Sequence, residues 1–129
     1  MTESPGFLII DRERSMVRIS GNDHIEFLQG LITNDLLKLN QGILYSAILS
    51  PQGKYLFDFF IVHNPDQQLF IDIQSNKKNK LLEFLNFYKL NSDVRFEEVE
   101  CLVVLGNKEK PVNALKDPRN NEIGWRLYD

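Results

Sequence analysis

The sequence predicts a single domain in which a meander of short strands is combined with two helices. Three observations carry this expectation. A length of 129 residues leaves room for one domain of ordinary size, with a core burying roughly two thirds of the unfolded chain's surface. Two apolar, aromatic-rich runs, 43–50 and 55–63, flank the turn sequence Pro51-Gln52-Gly53-Lys54, as in a β-hairpin. Two further segments, one after Asp23 and one after Ser75, place apolar residues at helical spacing. The balance of 43% hydrophobic and 26% charged residues excludes a disordered tail, a collagen-like chain and a membrane bundle.

Taken in order, Phe7 to Asp11 and Met16 to Ser20 read as two short strands, with the charged Arg12, Glu13 and Arg14 turning between them. Asp23 stands three residues before Glu26, an N-cap with an acidic partner, and Ile25, Leu28, Leu31 and Ile32 continue a helix to about Thr33 and Asn34. The hairpin follows. Asn64-Pro65-Asp66 turns the chain again into a strand over Leu69 to Ile73, completing a three-stranded meander. Ser75 or Asn76 caps a second helix to about Tyr88, with Leu81, Leu82, Phe84, Leu85 and Tyr88 as its apolar stripe. Lys77, Lys78 and Lys80 crowd its first turn, against the macrodipole. Strands are expected around Val94 to Val99 and Cys101 to Leu105. Residues 1–106 therefore read as the domain and 107–129, polar and containing Pro111 and Pro118, as a connecting segment.

A net charge of -3 and a pI near 5.4 argue against direct nucleic-acid binding over the whole surface, which needs a basic field. The single cysteine, Cys101, makes no internal disulfide or cysteine cage, as suits a reducing compartment. Met1 to Gly6 lacks signal and transit patterns, and no apolar stretch approaches membrane-spanning length. The expectation is a cytoplasmic protein without a membrane association.

Most catalytic sets are missing from the pattern. His24 and His63 form no helical metal pair, and Gly53-Lys54 lacks the spaced glycine of a phosphate loop because position 48 is Ile48. Asp58 stands out. It interrupts Tyr55, Leu56, Phe57, Phe59, Phe60, Ile61 and Val62, and alternation puts Leu56, Asp58, Phe60 and Val62 on one strand face. A carboxylate among apolar residues must be hydrogen-bonded, take up a proton or face a polar ligand; burial raises its pKa unless donors surround it. With the hairpin closed, Ala47 lies opposite Asp58, and Tyr45 and Leu49 share the face. A small residue, aromatics and one carboxylate suit a flat heteroaromatic ligand with N–H donors. A hydrogen-bonded structural Asp satisfies the same pattern.

Three motifs then carry a resemblance. Phe27-Leu28-Gln29-Gly30-Leu31-Ile32-Thr33-Asn34-Asp35 resembles the FLQG-x-[LI]-T-N-D segment of the folate-binding YgfZ family, relatives of the glycine cleavage T-protein GcvT. The hairpin from Leu49 to Asp58 resembles that family's L-x-P-x-G-[KR]-x-L-x-D. Asp117-Pro118-Arg119 followed by Gly124-Trp125-Arg126 resembles its DPR-x4-G-[WY]-R element. The resemblance implies an α+β, ferredoxin-like folate-binding domain with an antiparallel sheet and two main helices. It implies tetrahydrofolate, or a one-carbon derivative, as cofactor, with Asp58 near the reactive nitrogens and Tyr45, Ala47, Phe60 and Val62 as the pocket. It further implies iron–sulfur client or assembly proteins as partners, and through them tRNA modification. The family's K-G-C-[YF]-x-G-Q motif is absent, so the chain resembles an N-terminal portion, and Cys101 reads instead as a buried strand residue. Alternatives are an aminomethyltransferase, whose usual Asp-Asp pair has Phe57 in its first place here, and a nonfunctional or interaction-only fragment.

Overall fold

The computed structural model describes residues 6–119 and 124–129. Twelve elements follow one another: β1 (Leu8–Asp11), β2 (Arg14–Ser20), α1 (His24–Gln29), a 3₁₀ helix (Leu36–Gln41), β3 (Ile43–Leu49), β4 (Tyr55–His63), β5 (Leu69–Gln74), α2 (Ser75–Lys89), β6 (Arg95–Val99), β7 (Val103–Gly106), β8 (Leu115–Lys116) and β9 (Trp125–Tyr128). They form an α+β fold with two antiparallel sheets. The larger has five strands in the order β3-β4-β5-β2-β6, the smaller four in the order β1-β7-β9-β8.

The expected meander is there, because β3, β4 and β5 are consecutive antiparallel neighbours. One face of the larger sheet meets α1 and α2. Leu44, Ile48, Phe57, Phe59, Ile61, Ile71 and Ile73 from the strands pack there with Leu28, Leu81 and Leu85 from the helices. This alternation of buried and facing residues is what the period of a strand demands. The opposite face carries a second, smaller cluster of Ile43, Phe60 and Val62, packed with Tyr45, Phe70, Leu115 and Tyr128. Strands β8 and β9 therefore lie over the face that the sequence assigns to Asp58.

Several local expectations are corrected. The two strands read at Phe7 to Asp11 and Met16 to Ser20, with the turn between them, are present; they belong to different sheets, since β1 pairs with β7 and β2 with β5 and β6. Helix α1 is cut short at Gly30, and its N-cap Asp23 makes no side-chain capping bond. That carboxylate instead accepts from the Asp93 backbone N–H at 2.7 Å, tying two loops together. Nor does Ser75 or Asn76 cap α2, whose N-cap position is Gln74; the Ser75 N–H donates to the Glu13 carbonyl at 2.7 Å. Lys78 in the basic first turn is paired with Glu98 at 2.5 Å. Cys101 is half-buried and precedes β7, outside any strand, and burial pushes its thiol pKa up. Within 107–129, read as a connection, Leu115–Lys116 and Trp125–Tyr128 are strands. Among the described residues no helix is long and apolar enough to cross a membrane.

Candidate functional site

The β3–β4 register sets Ala47 against Asp58, Tyr45 against Phe60 and Ile43 against Val62. All of the residues expected at the site thus share the sheet face that turns away from the helices. The register then shifts between Ile48 and Leu49: Ile48 faces Phe57 and Leu49 faces Tyr55, so Leu56 is an extra residue. This bulge overturns the strict alternation expected at the strand start. Leu56 packs against the main core, and Tyr55 swings to the Asp58 side.

Asp58 is half-exposed, not enclosed on both faces. Its two oxygens are taken by phenols, with the Tyr45 hydroxyl donating to Oδ2 and the Tyr55 hydroxyl to Oδ1. Burial raises the carboxyl's pKa, but these two donors and the Arg14 charge outweigh it and hold Asp58 below the usual carboxylate range. The charge returns on its partners. The hydrogen bond to Asp58, with burial added, pushes Tyr45 up to about 12 and raises Tyr55 for the same first reason. At neutral pH the site therefore presents a carboxylate anion flanked by two neutral phenols.

The two tyrosines are held differently. The Tyr45 ring lies 5.3 Å from the Phe60 ring, with the Arg119 guanidinium 5.7 Å from its centroid. Tyr55 is 56% exposed, at the start of β4. Phe60 is only 2% exposed, covered by Arg119 at 4.9 Å and Arg126 at 4.1 Å from its centroid, so cation–π contact rather than open space defines that wall. Val62 is likewise buried, and it borders clefts of about 520 Å³ and 340 Å³ shared with Asn64 and Tyr128.

Beside this site, Asp72 on β5 faces Phe60 across the ladder. It accepts from Arg14 Nε at 2.6 Å on Oδ1, and from Arg126 at 2.7 Å and Tyr128 at 2.6 Å on Oδ2. Burial, then the Asp72 charge, raises Tyr128 well above its ordinary value.

The three motifs account for how these side chains are placed. In the first, Gln29 donates to the Asn34 carbonyl at 2.9 Å and accepts from the Leu36 N–H at 2.7 Å. Asn34 Nδ2 then donates to the Tyr45 carbonyl at 3.0 Å, and Thr33 exchanges bonds with the Ala47 backbone. This clasp pins the free edge of β3, where Tyr45 and Ala47 sit. In the second, Gly53 has φ +83° with open space around it, so the turn needs its conformation, not its size. In the third, Asp117 forks Arg119 at 3.0 and 2.7 Å, and its N–H donates to the Gly124 carbonyl at 2.9 Å. Gly124 has φ +125°, and a Cβ there would meet the Gly106 carbonyl at 2.1 Å. This close approach brings Arg126 down onto Phe60.

Tyr55, Asp72, Arg119, Arg126 and Tyr128 are therefore the residues that sequence reasoning missed. The DPR-x4-G-[WY]-R element marked the region of both arginines without saying what they touch. Among the described residues, no three His, Cys, Asp or Glu side chains group to hold a metal ion.

No protein-family model matches the chain. Individual relatives do. It is 30% identical over 135 residues to an iron-sulfur cluster assembly factor IBA57 homolog, mitochondrial, of Mycosarcoma maydis, covering 88% of this chain and 34% of that protein. It is 36% identical over 104 residues to the tRNA-modifying protein YgfZ of Hamiltonella defensa, covering 79% and 30%, and 29% identical over 110 residues to an aminomethyltransferase of Bacillus pumilus, covering 83% and 30%. The chain spans about a third of the length of these relatives. The crystal structure of glycine cleavage system aminomethyltransferase T from Bartonella henselae superposes with a TM-score of 0.68 at 14% identity, covering 78% of this chain and 28% of that one. On these likenesses in sequence and fold, the chain belongs to the family that joins IBA57, YgfZ and the glycine cleavage aminomethyltransferases.

Proposed function

We propose that this chain forms part of a tetrahydrofolate-binding protein of the YgfZ type, which supports iron–sulfur protein assembly or repair and, through those clients, tRNA modification. The observation that carries the reading is Asp58: a partly exposed anionic acceptor on β4, oriented by Tyr45 and Tyr55. A reduced folate supplies N–H donors on its pterin ring and a one-carbon unit at N5 or N10. Asp58 would accept from those donors and Tyr45 and the small Ala47 would flank the ring, while Phe60, under Arg119 and Arg126, and Val62 would support the site from its buried side. The likeness to an iron-sulfur cluster assembly factor supports iron–sulfur assembly proteins as partners, and that to a tRNA-modifying protein supports the link to tRNA modification. A cytoplasmic location is part of the same proposal; fractionation of the tagged chain with mitochondria, the compartment named for the IBA57 homolog, overturns it.

Calorimetric titration of the chain with 5-formyltetrahydrofolate tests the ligand. Binding that is lost in Asp58→Ala is the expected result, whereas no heat from the unsubstituted chain removes folate from the reading. Ammonia release from an aminomethyl-lipoyl carrier in the presence of tetrahydrofolate would instead establish an aminomethyltransferase. Against that activity stands Phe57, whose side chain is buried in the main core, where a second site carboxylate would have to point.

A further inference from the structure

The two phenols on Asp58 are equivalent in chemistry and unequal in mounting. Tyr45 sits mid-strand, packed on Phe60 and lying beneath Arg119. Tyr55 sits three residues before Asp58, outside the bulge and beside the Pro51–Lys54 turn, more than half of it in solvent. A ligand with N–H donors must approach Asp58 from the open side, and the oxygen on the Tyr55 side already has a donor. Exchanging a fixed phenol would disturb the Tyr45–Phe60–Arg119 stack. Exchanging the exposed one disturbs one exposed hydrogen bond.

We propose that Tyr55 is a displaceable latch on Asp58: its phenol holds Oδ1 in the free protein and yields that oxygen to the ligand, while Tyr45 keeps Oδ2 and positions the carboxylate. The inference rests on the folate reading above, and it assigns the two tyrosines opposite effects on affinity. Removing the latch hydroxyl frees an acceptor that the ligand otherwise has to win, and removing the positioning hydroxyl loosens the carboxylate it binds to. Each effect has the size of one net hydrogen bond, about three- to tenfold in Kd.

The test is titration of the chain, Tyr55→Phe and Tyr45→Phe with 5-formyltetrahydrofolate, together with ring-labelled tyrosine NMR of the unsubstituted chain. The expected result is tighter binding by Tyr55→Phe, weaker binding by Tyr45→Phe, and movement of the Tyr55 ring signals toward those of free tyrosine as ligand is added, with the Tyr45 ring still in its stack. Unchanged or weakened binding in Tyr55→Phe, or a Tyr55 ring that stays put on saturation, overturns the latch and leaves the folate reading standing. Absence of binding by all three proteins overturns both.

Discussion

Asp58 and Asp72 sit on one face of the larger sheet, on adjacent strands, and the difference between them separates a joint from a candidate binding group. Asp72 is 0% exposed and balanced by Arg14, Arg126 and Tyr128, so its charge is neutralised by cations drawn from both sheets. Asp58 is half-exposed and held by two phenols, which orient a carboxylate without neutralising it. A buried, paired carboxylate is committed to the fold, because breaking its pairs strands charges in the interior. An oriented anion with solvent on one side remains free to accept from something else.

The largest expected effect that sharpens this contrast is at Asp72. Asp72→Asn leaves the 4%-exposed Arg126 short of its counter-charge, and urea unfolding should show a loss of about 3–5 kcal/mol. A stability unchanged from the parent would show that the pairs are not what joins the sheets. Next comes Tyr128→Phe, which deletes one bond to Asp72 and the acceptor of Arg126 Nε; about 1 kcal/mol is expected in the same measurement. A loss as large as that of Asp72→Asn would move the joint from the carboxylate to the phenol.

The smallest effect is at Asp58. Asp58→Asn should cost less than about 1 kcal/mol at pH 7, and the cost should depend on pH. The folded carboxyl titrates below its unfolded value of about 3.9, so its contribution is present above that pH and is lost as pH falls through the folded value. At the alkaline end the sign reverses. Tyr45 titrates at about 12 in place of 10.0, so the bond contributes fully below pH 10 and is lost as pH rises through about 12. Melting curves across both ranges check this, and a pH-independent difference between parent and Asp58→Asn would mean that the phenols do not hold the anion.

The legible parts of this chain are those whose signals are local. The meander was readable because alternation and the Pro51–Lys54 turn lie within about twenty residues of sequence, and the same alternation put Tyr45, Ala47, Asp58, Phe60 and Val62 on one face. Where alternation failed, at Tyr55 and Leu56, a single bulge residue reversed two side chains, and no composition signal marks it. Helix caps failed for a different reason. Asp23 and Ser75 are good capping residues, but each found a partner elsewhere, at Asp93 and at Ser15.

By itself, the sequence determined the strand–turn–strand unit, the core positions Leu28, Leu81 and Leu85 of the two helices and the shared face of the candidate site, whereas Ile25 and Tyr88, expected on the same stripes, are exposed. These follow from the periods of strand and helix, which act between near neighbours. Only the tertiary structure decided that β1 pairs with β7, in a register of Leu8 with Gly106, and that β9 lays Arg126 over Phe60 and into Asp72. Those contacts join residues 54 or more positions apart, where the gain from pairing buried charges and closing a second sheet outweighs local preference, and it is they that leave one carboxylate locked and the other open.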